Sequence, residues 1–543
     1  MRISLPMLAA LAVLVAGCTH RPPTAVPESA SDHYRGSLNN GTPLVALVRD
    51  RHIAPLDPAS RTPLLEQAMA ALAKSDPGGK WRGITYDLGK TNALPRDWLV
   101  QTPLVWGQPA ATVGPDGAIS LVERIGHMIA AARQSVDITA LQPAPDGAFL
   151  RVIHDGLQAL ARSGRPVTVR ILVGQYPPSD TDTAKLLASL ADAVQAPRSR
   201  VALYVGAIRS CTGGGKCDSF SWNHAKIVAV DGRTALVGGH NMYDGDYLQA
   251  DPVFDLSMQI DGPAAASAMR FADAMWGFVC GNLGKLSTVA VSSLAPGSDQ
   301  PGQDCKASLA PSRVTSGAGR IPVLAVGRLA SGITTDFANQ SDLARDLMLG
   351  AARRSLRIVQ QDIGFTMGRA DTLYPESTLE KIADFLLLDR GEVYLVLSNL
   401  DAVGGEGDSY SNGVSLQALA QKIYAVVQKR SQFDRDTVTD MLCRRLHLAP
   451  IRFGPDAKWQ DGKPIANHAK FWMVDDRYFY IGSDNFYPVD LQEFGFIVDD
   501  RAAAARLVKE YWDPLWQWSS RAAVSGSDAP SCILRNPPPR SPH

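Results

Sequence analysis

Apolar residues recur at helical spacing from Ile119 to Arg133 and again from Leu343 to Arg354, the period expected of a helix with one buried face. Each run passes into a β-rich stretch, Val136 to Leu141 in the first case and Leu356 to Asp362 in the second. A second amphipathic helix is expected over Phe149 to Ala161 and over Thr378 to Leu388, followed by β runs at Val167 to Val173 and Glu392 to Ser398. That is the order of a βαβ unit, met twice. Three closely spaced β runs follow, Ala225 to Val230, Thr234 to Val237 and Asp255 to Ile260 in the first block, ahead of a closing helix rich in Ala, Met and Trp. The pattern predicts an α/β protein of two half-domains, each with a mixed central sheet flanked by helices, packed about a pseudo-twofold axis.

The two blocks also match residue by residue. Ala131-Ala132-Arg133-Gln134-Ser135-Val136-Asp137-Ile138 aligns with Ala351-Ala352-Arg353-Arg354-Ser355-Leu356-Arg357-Ile358, and Asn223-His224-Ala225-Lys226 with Asn467-His468-Ala469-Lys470. From each histidine the spacing is conserved further: His224, Lys226, Asp231, Gly238 and Asn241 recur as His468, Lys470, Asp475, Gly482 and Asn485. Five fixed residues would arise by chance on the order of once in three million starts, so two copies mark a site. Strand alternation over Ala225 to Val230 would point each His and its Lys the same way. Asp231 sits at the odd offset and heads an Asp231-Gly232 hairpin turn, so its expected task is to hold backbone, as for Asp475. Gly238-Gly239-His240-Asn241 and Gly482-Ser483-Asp484-Asn485 close the motif with small residues that let a ligand approach and an amide that can donate to it. Downstream acids, Asp255 and Glu493, can each accept a histidine's far ring proton and so fix its tautomer. His127, His154 and His447 carry no such pattern and read as satisfied core residues.

The pattern H-x-K-x4-D-x6-G-[SG] followed by Asn resembles the signature of the phospholipase D superfamily, over roughly 119 to 280 and 340 to 518. The resemblance implies phosphodiester chemistry at one site between the repeats, through a covalent phosphohistidine, with neither metal nor cofactor required. Its catalytic set here is His224, His468, Lys226, Lys470, Asn241, Asn485, Asp255 and Glu493, with His224 as nucleophile and His468 as acid and base. The gap from Asn241 to Asp255 is longer than that from Asn485 to Glu493, a departure that bears on Asp255. The residue types suit the chemistry independently: two ammonium groups and two amides can meet the negative charge of a phosphoryl transition state, and two histidines can divide attack from proton transfer.

Charge narrows the substrate. Lys plus Arg and Asp plus Glu both number 54 in 543 residues, so the chain lacks the broad basic field of a non-specific nucleic-acid binder. The N-terminus adds a location. After Met1-Arg2, an apolar run ends in Val15-Ala16-Gly17-Cys18, which resembles a bacterial lipobox and implies acylation of Cys18 after cleavage. Thr19 in place of Asp points to the outer membrane, facing the periplasm. Six further cysteines, an even number in an exported chain, are expected to pair as Cys211–Cys217, Cys280–Cys305 and Cys443–Cys532. Zinc is disfavoured, since no C-x-x-C occurs.

The expected organisation is a signal peptide (1–17), a tether (18–45), an N-terminal extension (46–118), the first repeat (119–290), a linker (291–330), the second repeat (331–520) and a Pro-rich tail (521–543). With both motifs in one chain, a monomer suffices. The expected function is a phospholipase D-type phosphodiesterase that cleaves phospholipids or transfers their phosphatidyl group. A periplasmic nuclease on the same scaffold and a cardiolipin synthase-like transferase are the alternatives. No G-x-S-x-G elbow supports a serine lipase. The Gly404-Gly405-Glu406-Gly407-Asp408 segment reads as a surface loop or a mobile loop over the cleft.

Overall fold

The computed structural model describes residues 53–176, 179–214, 217–309, 317–334, 339–367, 371–388, 391–403 and 410–535. The leader, Cys18, the tether, the glycine-rich 404–408 segment and the end of the tail lie outside the described residues. Two large mixed sheets dominate. The first runs Val289–Leu294, Arg200–Gly214, Pro166–Gly174, Ser135–Ala140, Ile227–Val230, Thr234–Gly238, Asp255–Asp261, Leu99–Thr102. The second runs Leu446–Pro450, Glu392–Leu397, Ser355–Gln360, Phe471–Val474, Tyr478–Gly482, Glu493–Asp499, Ile321–Arg328, Tyr86–Asn92. The central strands follow one order in both, with parallel pairing across the βαβ units and antiparallel pairing through the motif hairpins.

Burial explains the elements. Strand Ser135–Ala140 is buried at every position, as a central strand covered on both faces must be. Helix Gly147–Ser163 turns Phe149, Ile153, Leu157 and Leu160 inward and ends at Gly164, whose φ of +65° a side chain would strain. The extension is woven into both halves, since Tyr86–Asn92 pairs with Ile321–Arg328 and Leu99–Thr102 with Asp255–Asp261. The stretch 291–330 likewise supplies a sheet strand, Ile321–Arg328, beside Glu493–Asp499. Aromatic pairs knit the halves together: Phe254 packs on Phe453 and Trp459, Phe271 on Phe494, and Trp98 on Phe479. Cys280–Cys305 and Cys443–Cys532 are bonded. The third expected pair involves Cys217, whose side chain lies outside the described residues.

The two matched segments of each repeat are two sides of one contact. Asp231 accepts hydrogen bonds from the backbone N–H groups of Arg133, Gln134 and Ser135 at 2.8–2.9 Å. Asp475 does the same for Arg353, Arg354 and Ser355 at 2.7–3.1 Å. Asp231 and Gly232 both have positive φ, +54° and +61°, as a tight hairpin requires. Each aspartate therefore fastens its motif hairpin to the start of the central strand and stands apart from substrate. Asp475→Ala leaves three backbone donors without their acceptor, and should lower stability by about 2–3 kcal/mol in denaturant titration while activity per folded molecule stays near normal.

Candidate active site

The polypeptide reaches the site by exchanging backbone between the repeats. The His224 N–H donates to the Gln492 carbonyl at 3.0 Å, and the Gln492 N–H donates to the Trp222 carbonyl at 3.2 Å. In mirror fashion the His468 N–H donates to the Phe254 carbonyl at 2.7 Å, and Phe254 to Ala466 at 3.0 Å. Each histidine is thus tied to the residues just before the other repeat's acid. Regular strand pairing begins only at Ile227 and Phe471, later than the expected Ala225, because the backbone at the histidines is committed across the interface. Strand alternation consequently does not orient His224 and Lys226. The lysine chain curls back, and Lys226 Nζ donates to the His224 carbonyl at 2.7 Å, as Lys470 Nζ does to that of His468 at 2.5 Å. Asn223 and Asn467 brace these approaches: the Asn223 amide donates to the Ala140 carbonyl and that of Asn467 to Gln360, while each side-chain oxygen accepts the N–H two residues on.

The imidazoles face one another with centroids 6.3 Å apart and planes at 75°. Their acids cross the interface. His224 Nδ1 lies 2.9 Å from Glu493 of the second repeat, and His468 Nδ1 lies 2.9 Å from Asp255 of the first. Each Nε2 is the ring nitrogen that does not face the acid. All four side chains are buried. Burial pushes both imidazoles well down, with Lys226 and Lys470 adding to the effect, and pushes both carboxyls up to about 7. Each pair therefore takes up a proton near neutrality.

The acids are held by different devices. Ser483 donates to Glu493 at 2.5 Å, and the Arg328 guanidinium stands 3.7 Å from the same carboxylate. Arg328 is itself locked by Asp342, Asp484 and the Leu491 carbonyl. Asp255 instead accepts from the Tyr247 hydroxyl at 2.8 Å and from the Leu256 N–H at 2.7 Å. Tyr247 comes from the short helix Asp244–Tyr247, part of the longer gap between Asn241 and Asp255. Small residues close the motif for a reason other than ligand access: a Cβ on Gly239 would collide with the Asp255 carboxylate and the His468 carbonyl.

The two amides complete the cleft. Asn241 Nδ2 donates to the Tyr410 hydroxyl at 3.0 Å, and Asn485 Nδ2 to the Tyr487 hydroxyl at 2.7 Å. In each the other amide atom is buried without a partner. Tyr410 also donates to Asp246 at 2.5 Å and sets its ring 4.4 Å from that of His468. All eight sequence-derived residues thus converge on one locus. Tyr247, Tyr410, Tyr487 and Arg328 were not among them, and Ser483 figures in the sequence pattern only as a small residue of the motif. Of the remaining histidines, His127 is exposed and His154 half-buried beside Asp155 and Asp192, so neither is a core residue. His447 is buried against Tyr394 with neither ring nitrogen hydrogen-bonded.

Over 519 residues the chain is 33% identical to a protein described as phospholipase D from Streptomyces antibioticus, spanning 87% of this chain and 90% of that one. The chain belongs to the phospholipase D family. No protein-family model matches it. Among solved structures it is similar to phosphatidylserine synthase from Haemophilus influenzae Rd KW20, with 16% identity, a TM-score of 0.46, and 76% of this chain and 87% of that one covered. It is also similar to polyphosphate kinase from Porphyromonas gingivalis, with 12% identity, a TM-score of 0.39, and 81% and 51% covered. As a member of the phospholipase D family the chain is a phosphodiesterase or phosphatidyltransferase.

The raised carboxyl of Asp255 has a measurable consequence. Its folded pKa of about 7 exceeds the ordinary 3.8, so its contribution to stability is full below the unfolded value and is lost as pH rises through 7. Asp255→Asn removes that proton uptake. The wild type should gain stability over this variant as pH falls from about 8 to 5, read by denaturant midpoints at each pH. A gap independent of pH would contradict the assignment.

Proposed function

We propose that the protein cleaves the head-group side of phospholipids, or transfers their phosphatidyl group to an alcohol, through a phosphohistidine on His224. The observation that carries the reading is the facing of two imidazoles, each backed at Nδ1 by an acid from the opposite repeat. An Nδ1–H held on a carboxylate leaves Nε2 as the free lone pair, the form needed for attack. The buried Arg328 adds a third cation to the surroundings of His224, beside Lys226 and Lys470. Burial and the two lysines push His468 toward the neutral form as well, so the assignment of attack to His224, with acid and base work on His468, rests on the resemblance of the first motif to its family.

The chemistry then balances in two displacements. His224 Nε2 attacks phosphorus as the bond to the head-group oxygen breaks, and His468 gives its Nε2 proton to that oxygen. Water or an acceptor alcohol next returns a proton to His468 and attacks phosphorus, the P–N bond breaks, and His224 is restored. Lys226, Lys470 and the second N–H of each of the Asn241 and Asn485 amides, the first being given to Tyr410 or Tyr487, would meet the non-bridging oxygens, where negative charge collects. An arriving diester anion also favours the charged form of Lys470, which burial otherwise depresses.

His224→Ala and His468→Ala should each lower turnover on phosphatidyl lipid by at least about a thousandfold with folding intact. Rapid quench with labelled lipid should trap an adduct on His224 in the His468→Ala protein; trapping on His468 in the reciprocal variant would reverse the roles. With glycerol or ethanol present, a phosphatidyl-alcohol should appear beside phosphatidic acid. Faster turnover of DNA at equal salt, abolished by the same substitutions, would move the assignment to a nuclease.

The lipobox-like Val15-Ala16-Gly17-Cys18 supports a location for this activity, lipid-anchored in a bacterial envelope and facing the periplasm. Phospholipid is then the abundant diester within reach. Cys18→Ser should abolish metabolic labelling of the protein with palmitate, and label retained by the variant would refute the anchor.

A further inference from the structure

Large apolar side chains left exposed are few among the described residues, and three stand on loops that flank the paired motifs. Tyr176 is 38% exposed, Leu400 46% and Val403 48%. Tyr176 and Leu400 occupy corresponding places in the repeats, just beyond the parallel strands Pro166–Gly174 and Glu392–Leu397. The ends of those strands abut the residue before each histidine. A Cβ on Gly174 would strike the Asn223 carbonyl, and Ser398 Oγ accepts the Asn467 N–H at 2.9 Å. Tyr176 also packs edge-on against Trp222, two residues ahead of His224, at 5.0 Å. On the second loop Asp401, at φ +63°, makes the turn. Ala402 goes inward to the apolar core that contains Met242, Val253 and Ala466, while Leu400 and Val403 are left in solvent. Folding the loop needs Ala402 inside; it does not need two large aliphatic residues outside.

We propose that Leu400, Val403 and Tyr176 form a rim that docks the mouth of the cleft on a phospholipid bilayer, so that substrate is drawn from the membrane surface rather than from solution. This rests on the phospholipid reading above, which supplies the occupant: a lipid whose phosphate must reach His224 while its acyl chains stay in an apolar phase. The rim is apolar, and the guanidinium groups that reach its two loops are engaged: Arg209, from strand Arg200–Gly214, on Asp180 at 2.8 Å, and Arg452 on the Asn399 side-chain oxygen at 2.5 Å and the Ile451 carbonyl. With a formal charge of zero overall and Asp401 exposed beside Leu400, the contact is hydrophobic and needs no anionic lipid. From Cys18 to Ile53 the chain makes 35 residue-to-residue steps and spans at most about 120 Å. A body anchored at Cys18 can therefore lay this rim on the leaflet that holds the anchor.

The test uses the full chain carrying Cys18→Ser, so that no acyl chain contributes to binding, with and without Leu400→Asp and Val403→Asp together. Sedimentation with phosphatidylcholine vesicles should show at least about tenfold weaker binding for the double variant, with little change from low to high salt. Its turnover on vesicles should fall in proportion, while turnover on monomeric dibutyryl phosphatidylcholine stays within about twofold. Leu400→Ser with Val403→Ser, a milder change at exposed positions, should give the same split if the aspartates disturb folding. Unchanged vesicle binding in both variants, or equal losses on vesicles and monomers, would overturn the proposal. Rim-dependent binding without turnover of either lipid would leave the docking surface standing and remove the phospholipid activity instead.

Discussion

Everything at the centre of this molecule depends on a reciprocal exchange: each motif imidazole is held at Nδ1 by a carboxylate from the other repeat. Neither half contains a finished site. A histidine with no acceptor at Nδ1 is free in tautomer and rotation, and a buried carboxylate without its imidazole bears an uncompensated desolvation cost. The backbone bridges at His224 with Gln492 and His468 with Phe254 bring these partners together. Docking of the repeats and completion of the site are one event.

Duplication alone would leave the two histidines equivalent, yet the reaction needs them to differ. The chain breaks the symmetry around the acids. The longer first-repeat gap supplies Tyr247 to Asp255 and Asp246 to Tyr410. The second repeat uses Ser483 and a guanidinium locked among Asp342, Asp484 and Glu493. One acid is thus backed by neutral hydroxyl and amide donors and the other by a cation, so the paired imidazoles sit in different fields although the five spaced positions of their motifs are the same.

This concentration of polar groups in a dry interface is costly to folding. Two histidines, two lysines, two acids and Arg328 are all buried, and burial drives the imidazoles and Lys470 toward their neutral forms. The offset comes from regions remote from the chemistry: the fully buried central strands, the extension strands that enter both sheets, and the disulfides Cys280–Cys305 and Cys443–Cys532.

Much of this was legible in the order of residues. The βαβ pattern, the duplication and the eight converging side chains are local or repeated signals, and the backbone task of Asp231 and Asp475 follows from their offset beside a hairpin turn. Other features were not legible. That His224 pairs with Glu493 and not with Asp255 depends on how the halves dock, and either pairing suits the same sequence. The small residue at Gly239 suggested room for a ligand, but tertiary structure fills that space with Asp255 and His468. Arg328 and Tyr410 lie far from the motifs in the chain, with no periodicity or spacing to mark them, and the 46–118 extension gave no hint that it would enter both sheets. Sequence by itself determined which groups gather at the candidate site, because their types and intervals repeat; which acid serves which histidine was decided only by the fold, because that choice is made by contacts across an interface that no local pattern records.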